Sequence, residues 1–394
     1  MGIDRRTFLG NSLQIGGSAI AAAVFSGLFA TGCSKKPIFQ VGVLKGSIPA
    51  PLISKLRQSL PTDTSVKLIP ASQLATLFES INRNDSPTSS AWWNWRNWWR
   101  TPSEPPPPAD LITLGDAWLS RAIADGLIQP LDASRFNLEL SPPWKTLVQR
   151  NDSGQLDAQG KIWGIPYSWG TTALVYNPRK FKSLGWEPTD WSDLWRPELE
   201  GRIALLDNPR ETIGLTLKHL GYSYNQENLN DISDLAPTLK ALDRQALLYS
   251  STQYLQPLIE GDAWIAVGWS TDILPLLQRY RLKAIIPQSG TSLWANLWVH
   301  PTPLSTDTEL NPAIAPWIDR FWTPEFAKQL SHLSNTVSPL LNGLSREEIP
   351  ESVLENPVKL PAQDILNRSE FLLPLSEETD EILQRLWKQM RSHG

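Results

Sequence analysis

The sequence predicts an α/β protein of two lobes, each a mixed sheet flanked by helices. Short apolar runs alternate with stretches of helical spacing, the pattern of sheets covered by helices. Of 394 residues, about 360 remain once an N-terminal leader is set aside, more than one hydrophobic core accommodates. Two extended segments, residues 162–177 and 293–299, are placed to carry the chain into a second lobe and back.

The chain opens on Asp4-Arg5-Arg6-Thr7-Phe8-Leu9, continues through an apolar run rich in Gly, Ala and Leu, and reaches Phe29-Ala30-Thr31-Gly32-Cys33. A charged start, an apolar stretch and small residues before a cut site describe an export signal. The pair Arg5-Arg6 ahead of Phe8-Leu9 has the twin-arginine form. Small residues directly before Cys33, with Ser34-Lys35-Lys36 behind it, resemble a lipobox, in which the cysteine is lipidated and becomes the N-terminus. Ala30 departs from that pattern, which prefers an aliphatic residue such as Leu. Two other readings stay open: a cleaved signal without lipid, and an uncleaved anchor, for which residues 15–31 lie at the short limit of a span. Residues 1–32 are expected to be cleaved, and 33–37 to form the lipidated N-terminus and linker of a periplasmic, membrane-anchored lipoprotein.

Composition narrows the function. Cys33 is the single cysteine, so no disulfide forms within the chain. His219, His300, His332 and His393 are scattered, which argues against zinc, and no cofactor is expected. A net charge of -4 is ordinary solubility charge and argues against nucleic acid. The 19 Trp are far above the usual share, which outside the cytoplasm points to flat apolar faces for a ligand or a membrane interface.

In the first lobe, expected to hold residues 38–166 and 299–394, strands are read at 38–44, 65–69 and 109–114, and helices at 51–60, 72–81 and 117–125. Asp116 is placed to cap the last of these and Gly126 to end it. Ligands of such sheets sit beyond the carboxyl ends of the strands, here near residues 44–47 and 115–118, which brings in Ser47 and Asp116. An insert at 82–108 carries Trp92, Trp95, Trp98 and Trp99 within an arc of about 120° on a helix, followed by prolines. That arc suits a bilayer interface, packing on its own lobe, or a lid or partner surface; all three stay open. Helices at 312–333 and 379–390 complete the lobe by periodicity.

The second lobe is expected at 167–298. A short capped helix at 191–195 and a strand at 202–206 precede Asp207-Asn208-Pro209-Arg210-Glu211, which opens a helix to His219. With Asn208 as N-cap and Pro209 at the first position, Glu211 has capping-box spacing. A strand at 263–267, a helix at 272–280 and a strand at 284–287 follow. No internal repeat is evident.

The chain resembles the periplasmic binding components of ABC importers, specifically the spermidine/putrescine-binding branch. The matching phrases are Ile165-Pro166-Tyr167-Ser168-Trp169-Gly170-Thr171-Thr172, Trp191-Ser192-Asp193-Leu194-Trp195-Arg196-Pro197, Asp207-Asn208-Pro209-Arg210-Glu211, Leu220-Gly221-Tyr222-Ser223 and Trp294-Ala295-Asn296. Residues 109–132 match as well. The resemblance implies two α/β lobes joined by crossing strands, a type II periplasmic binding protein that closes over a solute. It also implies delivery to a permease with its ATPase, a monomer, and no chemistry.

Polyamine binding needs aromatic walls for the methylene chain and carboxylates for the ammonium groups. By resemblance, Glu211 matches a ligand carboxylate, and Trp269 and Trp294 match the walls. Asn208 and Asn296 stand where polyamine binders have aspartates. Leu44-Lys45-Gly46-Ser47 replaces a Trp-Thr-Glu-Tyr run, and Gly115-Asp116-Ala117 replaces a segment with a Ser and a Tyr. Each residue has a plainer reading: Glu211 and Asp116 as helix-end residues, the two Trp as lobe core. The missing cage residues argue against ordinary high-affinity spermidine binding, since an unpaired buried ammonium is costly.

The leading expectation is a lipid-anchored binding protein for a small polar or amine-bearing solute. The alternatives are the same fold holding an anion, a metal ion or another solute, a cell-envelope carbohydrate-active enzyme, and a membrane-surface scaffold. Seven scattered Tyr argue against ferric ion, and no nucleophile elbow, metal box or phosphate loop supports an enzyme.

Overall fold

The structure, a computed structural model, describes residues 38–82, 109–303 and 310–392. The export signal with Arg5 and Arg6, the lipidation site Cys33, and Trp92, Trp95, Trp98 and Trp99 lie outside the described residues. Among the described residues, no helix is long and apolar enough to cross a membrane.

Thirteen strands are described: β1 (Ile38–Leu44), β2 (Ser65–Ala71), β3 (Leu111–Gly115), β4 (Ile128–Gln129), β5 (Gln149–Arg150), β6 (Lys161–Ile162), β7 (Ile165–Tyr176), β8 (Ile203–Leu205), β9 (Ala246–Tyr249), β10 (Ile265–Trp269), β11 (Lys283–Ile285), β12 (Ser292–Pro301) and β13 (Glu370–Phe371). The hydrogen-bonded order runs β2-β1-β3-β12-β7-β10-β8-β9. This path joins two sheets through one strand. Residues 165–171 of β7 pair with antiparallel β12, whereas 172–176 pair with β10 and β11. In the first lobe β1 runs parallel to β2 and β3, and β12 returns antiparallel to β3. In the second, β8 runs parallel to both β9 and β10.

All twelve residues of β7 are buried, as a strand shared by two cores must be. Helices cover both sheets. On one face of the first sheet Phe39, Val41, Leu52 and Leu56 pack with Trp317 and Phe321. On the other, Ile112, Leu114, Leu119 and Ile123 pack with Trp144 and Leu147. The second lobe closes around Leu174, Tyr176, Leu205, Leu215, Ile265 and Trp191. Part of the Trp surplus is therefore core: Trp144, Trp169, Trp191, Trp298 and Trp317 are all buried, with Trp298 stacked on Tyr167 at 4.3 Å.

Three sequence expectations change. The helix expected at 117–125 is a 3-10 turn, Asp116–Trp118, followed by Leu119–Ala124, and Asp116 makes no side-chain cap. The helix expected at 312–333 is two, Ile314–Phe321 and Pro324–Leu333. Pro324 has no N–H to continue the ladder and disfavours helical Thr323, whose hydroxyl instead accepts the Phe326 N–H. Third, the C-terminal helix Glu377–Arg391 packs on Pro209–His219 and Leu235–Gln245 of the second lobe, not on the first lobe. Its stripe of Ile382, Leu383, Trp387 and Met390 meets Ile213, Leu217, Leu235 and Leu239. Periodicity exposes such a stripe but does not say which helices cover it.

Trp387→Ala empties part of that seam. It is expected to lower the free energy of urea unfolding by about 3 kcal/mol, and a loss under about 0.5 kcal/mol would show that the helix merely rests on the lobe.

Candidate functional site

Where β7 and β12 run side by side, alternate residues of each strand share a face. On that face the register sets Trp294 against Gly170 and Asn296 against Ser168. Ser292 and Thr172 continue it towards the second lobe. The opposite face carries Leu293, Ala295, Leu297 and Trp169 into the first-lobe core. One face is thus polar and aromatic, and the other is apolar.

The polar face ends at Glu211. Asn208 caps the Pro209–His219 helix, its Oδ1 accepting from the backbone N–H of Arg210 (3.0 Å) and Glu211 (3.3 Å). The reciprocal half of a capping box does not form, because the Glu211 carboxylate turns away from the helix end. Thr172 Oγ1 donates to its Oε1 at 3.0 Å, and Ser292 Oγ to its Oε2 at 2.6 Å. Glu211 is 3% exposed and joins no ion pair among the described residues. Burial raises its pKa, against the hydrogen bonds from Ser292, Thr172 and Trp269 and the neighbouring Arg210 charge, all of which favour the charged form.

Two half-buried tryptophans stand beside it. The Trp294 indole donates to Thr171 O at 3.1 Å, and its ring lies so close over Gly170 that a Cβ there would overlap it. Trp269 closes β10, with its backbone N–H donated to the Tyr254 hydroxyl (3.2 Å), which donates in turn to Asp272 Oδ2 (2.8 Å). Tyr254 meets the Trp269 ring edge-on at 6.0 Å. Gly268 leaves room for that tyrosine.

At the first-lobe end, Asn296 Nδ2 donates to Ser168 Oγ at 3.0 Å, while its buried Oδ1 receives no hydrogen bond. Tyr167, fully buried, shares a 3.0 Å hydrogen bond with Thr113. Burial pushes its phenol up to about 12 against hydrogen bonds with Ser47, Thr113 and Ser168, so Ser47 belongs to this hydroxyl cluster. The Ser47 hydroxyl also donates to Leu44 O at 2.8 Å. Asn296 pairs across β12 and β3 with Gly115, which sets Asp116 next to it. Burial raises the Asp116 carboxyl to about 7; backbone hydrogen bonds from Ala295 and Ala117 oppose this and the Glu211 charge adds to it.

The structure thus brings Glu211, Trp269, Trp294, Asn296, Asp116 and Ser47 into one region, with Asn208 committed to its helix. Sequence reasoning missed Arg150. Its guanidinium is 2% exposed, donates to Gln149 O (3.0 Å) and Thr146 O, and leaves Nε without an acceptor. Burial lowers it to about 10, and the Asp116 charge resists that shift. A lone arginine in a turn-rich stretch gives no sequence signal. Among the described residues, no group of three His, Cys, Asp or Glu is placed to hold a metal ion.

The family model of bacterial extracellular solute-binding proteins matches residues 106–368. The chain belongs to that family. Its two-lobed fold, with strands crossing between sheets, is the fold of solved relatives. The spermidine/putrescine substrate-binding protein PotD of Streptococcus pneumoniae superposes with a TM-score of 0.70 at 20% identity, over 91% of this chain and 99% of that one. The putrescine-binding periplasmic protein PotF of Escherichia coli is 26% identical over 311 residues, 72% of this chain and 78% of PotF. SpuD, a putrescine-binding periplasmic protein of Pseudomonas aeruginosa, is 22% identical over 299 residues, again 72% and 78%. This solute-binding protein therefore works outside the cytoplasm, in a family that binds and delivers solutes.

Asp116 and Glu211 hold protons more tightly folded than unfolded. Between the ordinary Asp value of 3.8 and about 7 the native state carries the extra Asp116 proton, so this residue's contribution to stability falls as pH rises through that window and is flat above it. Asp116→Asn is expected to match wild type near pH 4 and to exceed it by about 1–3 kcal/mol above pH 7, without ligand. Chemical denaturation at both pH values measures the difference, and one that does not grow with pH would contradict the assignment.

Proposed function

We propose that this protein is the extracytoplasmic solute-binding component of a polyamine-type ABC importer, capturing a small amine-bearing solute between its lobes. The observation that carries this reading is Glu211: a buried carboxylate with hydroxyl partners, no ion pair among the described residues, and two tryptophans beside it. A carboxylate held this way gains its missing counter-ion from an ammonium group, and the indole faces attract the same charge. The putrescine-binding relatives PotF and SpuD support the same class.

Trp269 and Trp294 flank the methylene chain in this reading, while Ser47, Asp116 and Asn296 line the first-lobe side and Asn208 acts through the helix that presents Glu211. The chain at Thr171–Thr172 and at Thr291–Ser292, where it passes from one sheet to the other, forms the hinge on which the lobes close. A permease and its ATPase recognise the closed, monomeric form. Cys33, reached through the Arg5-Arg6 signal, carries the lipid that keeps the protein near that permease, and Trp92, Trp95, Trp98 and Trp99 supply a second membrane contact.

Tryptophan fluorescence titrated with putrescine and spermidine, beside amino acids and small anions, tests the reading. A saturable response to an amine is expected. Glu211→Ala should weaken it by about 100-fold and Trp294→Ala by about 10-fold. Saturation by anions alone, or amine affinity unchanged in Glu211→Ala, would remove the proposal.

A further inference from the structure

The polar face of β7 and β12 has different chemistry at its two ends. Over roughly 13 Å from Ser292 to Asn296, it passes from a carboxylate to a neutral amide. At the second-lobe end both Glu211 oxygens accept hydroxyl hydrogen bonds, and no cation among the described residues forms an ion pair with them. At the first-lobe end stands Asn296, 3% exposed, its amide nitrogen donating one hydrogen bond to Ser168 and its oxygen without a donor among the described residues. Asn208 adds nothing there, because its oxygen is occupied by two backbone N–H groups. Asp116 sits beside Asn296 by register, its carboxyl pushed up to about 7 by burial.

A buried acceptor left unpaired costs more than a satisfied one stabilises, so Asn296 Oδ1 favours a ligand that brings a donor. That donor is best neutral. A second ammonium would lose its water facing a neutral amide. A hydroxyl or amide N–H completes the same hydrogen bond without that desolvation.

Resting on the amine reading above, we infer that the site selects a solute with a single ammonium, seated at Glu211, and a neutral hydrogen-bond-donating far end on Asn296 Oδ1: an amino alcohol or amino amide rather than a diamine. Trp294, between the two anchors on the same strand face, covers the aliphatic middle.

Calorimetric or fluorescence titration with aminobutanol, putrescine and butylamine tests this, since the three share one carbon chain and differ only at the far end. Aminobutanol is expected to bind about 10-fold tighter than either of the others. Asn296→Asp, which places a carboxylate at the far end, should reverse the order of aminobutanol and putrescine. A gain in putrescine affinity is not produced by misfolding. Putrescine binding tighter than aminobutanol in the wild type, or an order unchanged by Asn296→Asp, overturns the inference while leaving the amine reading intact. Silence towards all three amines overturns both.

Discussion

Glu211 has been taken out of water with no ion pair to it among the described residues, and the surrounding structure is arranged to tolerate that. An isolated buried carboxylate is prohibitive unless donors surround it. Here one donor comes from each crossing strand, Thr172 on β7 and Ser292 on β12. The two strands must therefore keep their register, or Glu211 loses a hydroxyl donor. The same register places Gly170 under the Trp294 ring and Ser168 against the Asn296 amide. Charge, wall and amide are thus three consequences of one strand pairing. The pairing also joins the two sheets, so the site cannot be built by either lobe alone.

The walls are held as firmly as the charge. Trp269 ends β10 with its N–H on Tyr254, and Asp272, in the first turn of the next helix, fixes that hydroxyl. Trp294 is tied by its indole N–H to a backbone carbonyl. Aromatic faces fixed before binding lose little freedom when a ligand arrives, so more of the contact energy remains as affinity. The tryptophan surplus separates on this basis: buried indoles such as Trp191 and Trp298 fill cores, whereas the half-buried Trp269 and Trp294 have edges to offer.

Much of this was legible beforehand. Alternating apolar runs located β1, β3, β7 and β12, and Asn208-Pro209 fixed the start of the helix bearing Glu211. What periodicity cannot carry is direction. Capping-box spacing at Glu211 was correct as spacing, yet the side chain turns towards Thr172 and Ser292, because two hydroxyls in the crossing strands compete with one N–H at the helix end. Asp116 has both a cap and a ligand reading in the sequence, and its side chain caps neither helical turn that follows. Arg150 was invisible, since nothing in a turn-rich stretch marks an arginine as buried. The C-terminal helix was recognised but assigned to the wrong lobe, because an apolar stripe does not name its partner.

That last placement gives the lobes a third connection. After the first-lobe segments the chain crosses at β13, which pairs with the Ser292–Leu293 end of β12. It is then fastened by Lys218 to Glu370 (2.7 Å), Asn225 to Phe371 O (2.9 Å) and Arg210 to Leu373 O (2.9 Å). Arg210 directly precedes Glu211, so the crossing tail grips the same helix turn that presents the carboxylate. Three crossings at one seam confine relative lobe motion to the few residues that absorb dihedral change there. A lobe movement at this seam bears on β7, β12 and the tail together. Because Glu211 is bonded to two of these and adjoins the residue that holds the third, any charge arriving at Glu211 acts at the point where the lobes are joined.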